Sequence, residues 1–128
     1  MNLLLDTCTL VWALFSPDDL SQPSRALIAE NSHSIYVSAA SAWEIATKVR
    51  RGKFPQAEPL ERRFLEVMDE AGYTLLSIDA AVALRAGRLS AEHRDPFDRI
   101  IAAQALSLDI SVLSPDTKID QFGVRRIW

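Results

Sequence analysis

Short apolar runs that do not alternate with polar residues, separated by segments of helical period, constrain this chain more than any other feature. Leu3 to Leu5 is the first such run, and Ile35-Tyr36-Val37, Tyr73 to Ile78, Ile110 to Leu113 and Val124 to Trp128 repeat the type. A strand whose successive side chains are all apolar needs cover on both faces, which a parallel sheet between helices provides. The intervening segments supply the helices. Ala42, Ile45, Ala46 and Val49 recur on one helical face, as do Phe97, Ile101 and Leu108 with Ile100 and Ala105. Strands alternating with helices predict βαβ units and an α/β fold.

Start and stop signals agree with that division. Ser21 with Pro23, Ser38, Pro59, Asp79, and Asp95 with Pro96 suit helix starts. Gly52, Gly72 and Gly87 fall where helices would end. With 128 residues and no repeat, linker or low-complexity tract, one domain over residues 1–128 is expected. No apolar run approaches the roughly 20 residues of a bilayer span. Asp6 interrupts the apolar opening before a signal-peptide core could form, which predicts a cytoplasmic protein without a membrane partner. The single cysteine, Cys8, has no internal disulfide partner, and its apolar neighbours predict a buried small hydrophobe rather than a reactive thiol. A net charge of −3 argues against binding nucleic acid through a general basic surface, so any such contact must be local. Lys48, Arg50, Arg51 and Lys53 form one basic cluster and Arg62 with Arg63 a smaller one; both also suit the negative pole of a helix.

Four acids occupy equivalent places along this pattern. Asp6 ends the first strand, Glu44 lies in the helix entered from the second, Asp98 opens the last long helix, and Asp116 follows the strand Ser111 to Leu113. The carboxyl ends of parallel strands line one edge of the sheet, and ligands bind there where the strand order reverses. Several ionised carboxylates share such a crevice only with a cation or with raised pKa values. Oxygen donors without a His or Cys companion favour Mg²⁺ or Mn²⁺ over Zn²⁺. Such ions can activate water for in-line attack on a phosphodiester, which is nuclease chemistry.

Each acid also has a purely structural reading. Glu44 and Lys48 are spaced as a helical surface ion pair, although Glu44 adjoins Trp43 and Ile45 in an apolar stretch. Asp95 reads first as a helix N-cap. Asp98 is turned toward the protein by Ala102 and Ala105. Asp116 suits a turn after Pro115 as well as a site, and Asp79 reads as a cap and is left out of the site. Thr7 and Ser114 are hydroxyls beside Asp6 and Asp116 that could orient a carboxylate. His33 and His93 have no second histidine at ligand spacing and are assigned no role.

Four stretches in order carry a resemblance over essentially the whole chain. They are Leu3-Leu4-Leu5-Asp6-Thr7; Ser38 to Lys48 leading to Arg51-Gly52-Lys53; His93 to Ala105; and Ser114-Pro115-Asp116 with Gly123-Val124 and Ile127-Trp128. The pattern resembles the PIN-domain ribonucleases and, within them, VapC-type toxins. The resemblance implies a three-layer α/β/α fold with a central parallel sheet, a Mg²⁺- or Mn²⁺-dependent endoribonuclease and a homodimer. It places the acidic ligands on Asp6, Glu44, Asp98 and Asp116, with Asp95 supporting. Ser114 stands two residues before the fourth acid as the family pattern has it, while Pro115 stiffens the link. It also implies a VapB-type antitoxin whose C-terminal segment fills the groove, and an RNA substrate met by Lys48, Arg51, Lys53 or Arg99.

Two rivals come from other classes. A receiver-type signalling domain has this length and a Mg²⁺-binding acidic cluster, but needs an acidic pair after the first strand, where Asp6 stands alone, and offers only Asp79 after the third. A phosphatase of the Asp-x-Asp type fails because Asp6-Thr7-Cys8 lacks the second acid. A catalytically silent PIN module that binds RNA or a partner keeps every structural feature above.

Overall fold

The computed structural model describes residues 1–128. Five strands form one sheet: β1 (Asn2–Leu5), β2 (Ser34–Ser38), β3 (Thr74–Leu76), β4 (Ser111–Leu113) and β5 (Arg126–Ile127). Each expected run overlaps one of them. Their order is β3-β2-β1-β4-β5, and every pairing is parallel. A receiver has the order 2-1-3-4-5, so the topology excludes that rival.

Seven helices cover the sheet: α1 (Thr7–Phe15), α2 (Gln22–Ala29), α3 (Ala39–Arg50), α4 (Glu58–Arg62), α5 (Phe64–Ala71), α6 (Ala80–Arg88) and α7 (Pro96–Leu108). Neighbouring side chains of β1 point to opposite faces, which divides the core in two. Leu3 and Leu5 pack with Leu10, Ile45, Leu60 and Met68, from the helices of one face. Leu4 packs with Ile101, Ala102, Ala105 and Ile119 on the other, with Val112 of β4. The continuous apolar runs are thus consumed by cover on both sides, and the three-layer α/β/α expectation holds.

The helix signals locate most boundaries. Ser21, Ser38, Asp79 and Asp95 each accept a backbone N–H at the start of α2, α3, α6 and α7. Gly72 ends α5 with φ of 73°, a left-handed conformation that glycine adopts without strain. Gly87 differs from expectation: it lies inside the last turn of α6. The sequence signals also missed α1, because its cap is Asp6, whose carboxylate accepts from the Thr9 N–H. No helix is long and apolar enough to cross a membrane.

Strand order reverses between β1 and β4. From β1 the chain crosses to β2 and β3 on one side; from β3 it crosses through α6 and α7 to β4 and β5 on the other. The crevice above the carboxyl ends of β1 and β4 is therefore the place where neither crossover covers the edge.

Candidate active site

Asp6 stands at that crevice, in the residue where β1 becomes α1. Its N–H donates to the Leu113 carbonyl at 3.2 Å, which continues the β1–β4 ladder by one step. Its Oδ1 accepts from the Thr9 N–H at 2.9 Å, and its Oδ2 accepts from the Ser114 hydroxyl at 2.5 Å. Burial raises its pKa above the ordinary carboxylate value; the Ser114 and Thr9 bonds pull it back, and the Glu44 charge raises it further.

Glu44 enters from α3 and is also buried. The Thr7 hydroxyl donates to its Oε1 at 2.5 Å and lies 3.0 Å from the Ser41 hydroxyl, while the Lys48 ammonium bonds its Oε2. Both readings of this acid are thus realised, since the helical ion pair forms with its anion inside the crevice. Partial burial works against the Lys48 charge, but Glu44 outweighs it and holds the ammonium above its usual pKa. Trp43 and Phe97 meet edge to face, with centroids 4.6 Å apart, and clasp α3 to the start of α7. That contact joins the two helices that carry Glu44 and Asp98.

Asp98 lies in the first turn of α7, behind the cap Asp95, which accepts from the N–H groups of Phe97 at 2.9 Å and Asp98 at 3.3 Å. Capping is therefore what Asp95 does here. The Oδ2 of Asp98 is 2.7 Å from His93 Nε2. Its carboxyl is pushed up to about 6, chiefly by burial, with the charges of Asp95 and Asp6 adding and the His93 bond opposing. Asp116 offers a carboxylate oxygen within 4.8 Å of the donor atoms of both His93 and Asp98. The Ser114 hydroxyl accepts the Asp116 N–H at 3.0 Å while donating to Asp6, so it overcomes the stiffness of Pro115 and ties the fourth acid to the first. Asp116 also caps the turn Thr117–Phe122 through the Lys118 N–H at 2.9 Å.

The structure thus gathers the four acids in two groups at one rim. Asp6 sits with Glu44 and its hydroxyl partners, and Asp98 sits with Asp116 and His93. His93 corrects the expectation that no histidine accompanies the carboxylates. The signal was its place five residues before Asp98, in a segment that a Pro-initiated helix folds back on itself; a search for two histidines at ligand spacing passed over it.

Three further expectations are revised or bounded. Cys8 is exposed rather than buried, because α1 turns it away from the core face that holds Leu10 and Val11. Its thiol is nonetheless pushed up to about 11 by desolvation and by the charges of Asp6 and Glu44, which disfavours the thiolate. Arg99 donates to the carbonyls of Ala86 at 2.9 Å, Ala91 at 3.1 Å, His93 at 2.9 Å and Gly87 at 3.4 Å, and also bonds Leu89. Its donors are committed to the fold and are not free for RNA. Arg51 and Lys53 are exposed past the end of α3, on the order of 10 Å along the helix from Glu44 at 1.5 Å per residue. A hollow of about 480 Å³ between α6 and α7, lined by Leu76, Val82, Arg85 and Gln104 among others, contains none of the four acids.

Residues 3–124 match the PIN domain family model. The chain belongs to the PIN-domain family. Ribonuclease VapC16 from Mycobacterium tuberculosis is 41% identical to it over 63 residues, which are 49% of this chain and 45% of that protein. The alignment thus spans less than half the length of this curated relative. Among solved structures, a chain of VapBC2 from Rickettsia felis, crystallised with a DNA fragment from its promoter, superposes with a TM-score of 0.72 at 18% identity. The match covers 100% of this chain and 99% of that one. A chain of VapBC-1 from nontypeable Haemophilus influenzae gives 0.67 at 19% identity, covering 99% and 97%. At such identities the two structures establish the PIN fold.

PIN nucleases use divalent metal ions, and the donor chemistry here fits one. The charge of Glu44 raises the pKa of Asp6 and that of Asp6 raises the pKa of Asp98, with an imidazole nitrogen beside Asp98 and Asp116. A dication relieves that repulsion without requiring protonation.

Proposed function

We propose that this PIN domain is a metal-dependent endoribonuclease and the toxin of a VapBC-type toxin–antitoxin pair. One observation carries the reading: acids from β1, α3, α7 and the segment after β4 converge on a single crevice at the reversal of strand order. Asp6, Glu44, Asp98 and Asp116 are the residues that would hold Mg²⁺ or Mn²⁺. When bound, the ion supplies positive charge to the scissile phosphate and makes a water more acidic.

The chain's own residues do the rest. Ser114 and the Thr9 N–H fix both oxygens of Asp6, and Thr7 fixes one oxygen of Glu44, so the carboxylates are aimed before substrate arrives. Burial pushes the Asp98 carboxyl up to about 6, so above that pH the side chain would be ionised and able to hold a cation. Lys48 neutralises Glu44, and a cation held by Glu44 would leave the ammonium able to meet a phosphate. Arg51 and Lys53 extend the positive surface outward from the crevice. With a net charge of −3, recognition would rest on the shape of a particular RNA and a few such contacts.

The Lys48 ammonium on Glu44 supports the reading that this carboxylate can pair with a cationic side chain. A basic residue from the C-terminal segment of a VapB-type antitoxin would enter in the same way and exclude both ion and RNA. A cytoplasmic homodimer is the expected unit.

The deciding experiment is cleavage of structured RNA by purified protein with Mg²⁺ or Mn²⁺. EDTA and Asp6→Asn should each abolish it, and added antitoxin should suppress it. RNA cut equally well by Asp6→Asn would reject the assigned site. Folded, metal-loaded protein that binds RNA and leaves it whole would establish the silent module.

A further inference from the structure

His93 stands at the acidic rim, and hydrolysis as outlined does not use it. Its Nε2 lies 2.7 Å from Asp98 Oδ2, and a carboxylate oxygen of Asp116 is within 4.8 Å of both donor atoms. Cis ligands on an octahedral ion with bonds of about 2.1 Å are about 3 Å apart. Entry of the ion would release to solvent the proton that Nε2 and Asp98 share, and the pair would then need to open by only a few tenths of an ångström.

The imidazole is also held in place by groups that touch none of the acids. The irregular segment between α6 and α7 would be loose by itself, having no ladder to satisfy its carbonyls. Arg99 gathers carbonyls of that segment, those of Leu89, Ala91 and His93, the last at 2.9 Å. The Phe122 ring lies 5.8 Å from the imidazole centroid, and the Arg99 guanidinium carbon is 5.5 Å from the centroid of that same ring. His93 is thus wedged between an aromatic ring and the rim, with its side chain 13% exposed. A donor fixed in this way loses little entropy on binding an ion.

We propose that His93 is a nitrogen ligand of a divalent cation shared with Asp98 and Asp116, and that it makes this position prefer Mn²⁺ to Mg²⁺. The inference rests on the metal-dependent reading of the site. Mg²⁺ is a hard ion that takes oxygen and water, whereas imidazole suits the first-row transition ions. The carboxylates Asp6 and Glu44 provide only oxygen. One rim therefore offers two unlike halves, and the half near α7 carries the selectivity.

Pulsed electron paramagnetic resonance of Mn²⁺ bound to the metal-free protein tests this directly. The expected spectrum of the unaltered protein contains the ¹⁴N modulation of a coordinated histidine. That modulation should persist in His33→Gln and vanish in His93→Gln. Calorimetric titration should show the ratio of Mn²⁺ to Mg²⁺ affinity falling about tenfold in His93→Gln, within the range seen when a metal site loses one supporting group. Absence of ¹⁴N modulation in the unaltered protein overturns the proposal, and so does an unchanged affinity ratio. If His93→Gln fails to fold, the unaltered protein and His33→Gln decide between the same outcomes. RNA cleavage without nitrogen coordination would sink this inference and leave the nuclease standing; nitrogen coordination without cleavage would do the reverse.

Discussion

Ser114 serves two acids with one hydroxyl, donating to Asp6 and accepting from the Asp116 N–H. Ser114→Ala should cost about 1 to 3 kcal/mol, the price of leaving a buried polar partner unsatisfied, as read by urea unfolding. Because the lost bond lowers the Asp6 pKa, the midpoint pH for metal binding should also move upward in this variant. Lys48 makes a prediction of opposite kind. Lys48→Met removes the internal cation from Glu44, so the metal-free protein should be less stable and Mg²⁺ should bind more tightly. The gain in Tm on adding Mg²⁺ should then exceed that of the unaltered protein; an equal or smaller gain would show that Lys48 does not compete with the ion.

Helix α7 separates structural acids from chemical ones. Asp95 caps it through two N–H groups, so Asp95→Ala should lower stability by about 1 kcal/mol and leave cleavage largely intact when measured well below Tm. Asp98, three residues on, should behave in the opposite way. Asp98→Asn removes a charge that burial and its acidic neighbours disfavour, so the metal-free protein should hold or gain stability at neutral pH while cleavage is lost. Arg99 belongs to the element rather than to the substrate. Arg99→Met should cost roughly 2 to 4 kcal/mol in urea unfolding, since carbonyls at the end of α6 and in the segment before α7 lose a charged donor together. The cap Asp95 and the strand runs were legible in the sequence because capping and periodicity act over a few residues. The use of Arg99 was not, since its acceptors are carbonyls, which every residue carries.

For the whole molecule, the crevice links metal, pH and stability. Asp98 has a folded pKa of about 6, above its unfolded value of about 3.9, so it contributes stability below pH 4 that is lost as pH rises through 6. The shift corresponds to roughly 2 to 3 kcal/mol in the metal-free protein. Asp6, also raised, adds in the same sense. A bound dication favours the ionised carboxylates and cancels this loss. The difference in Tm between Mg²⁺-loaded and EDTA-treated protein should therefore be small at pH 5, grow through pH 6 and level off above pH 7. A difference independent of pH would mean that the ion does not bind these acids.

The sequence by itself determined the layers: runs of apolar residues can be satisfied only by cover on both faces, and helical period with capping residues sets where the cover begins. It also marked the acids at the ends of strands and the starts of helices. Only the tertiary structure decided which of them meet. Asp6 and Ser114 bond across 108 positions, and Thr7 and Glu44 across 37. His93 became a member of the rim, Cys8 turned outward and Arg99 turned inward through the same packing. Periodicity reports which face of an element is covered, whereas the exposure of a single residue such as Cys8 and the partner of a charge depend on crossovers that bring remote segments together.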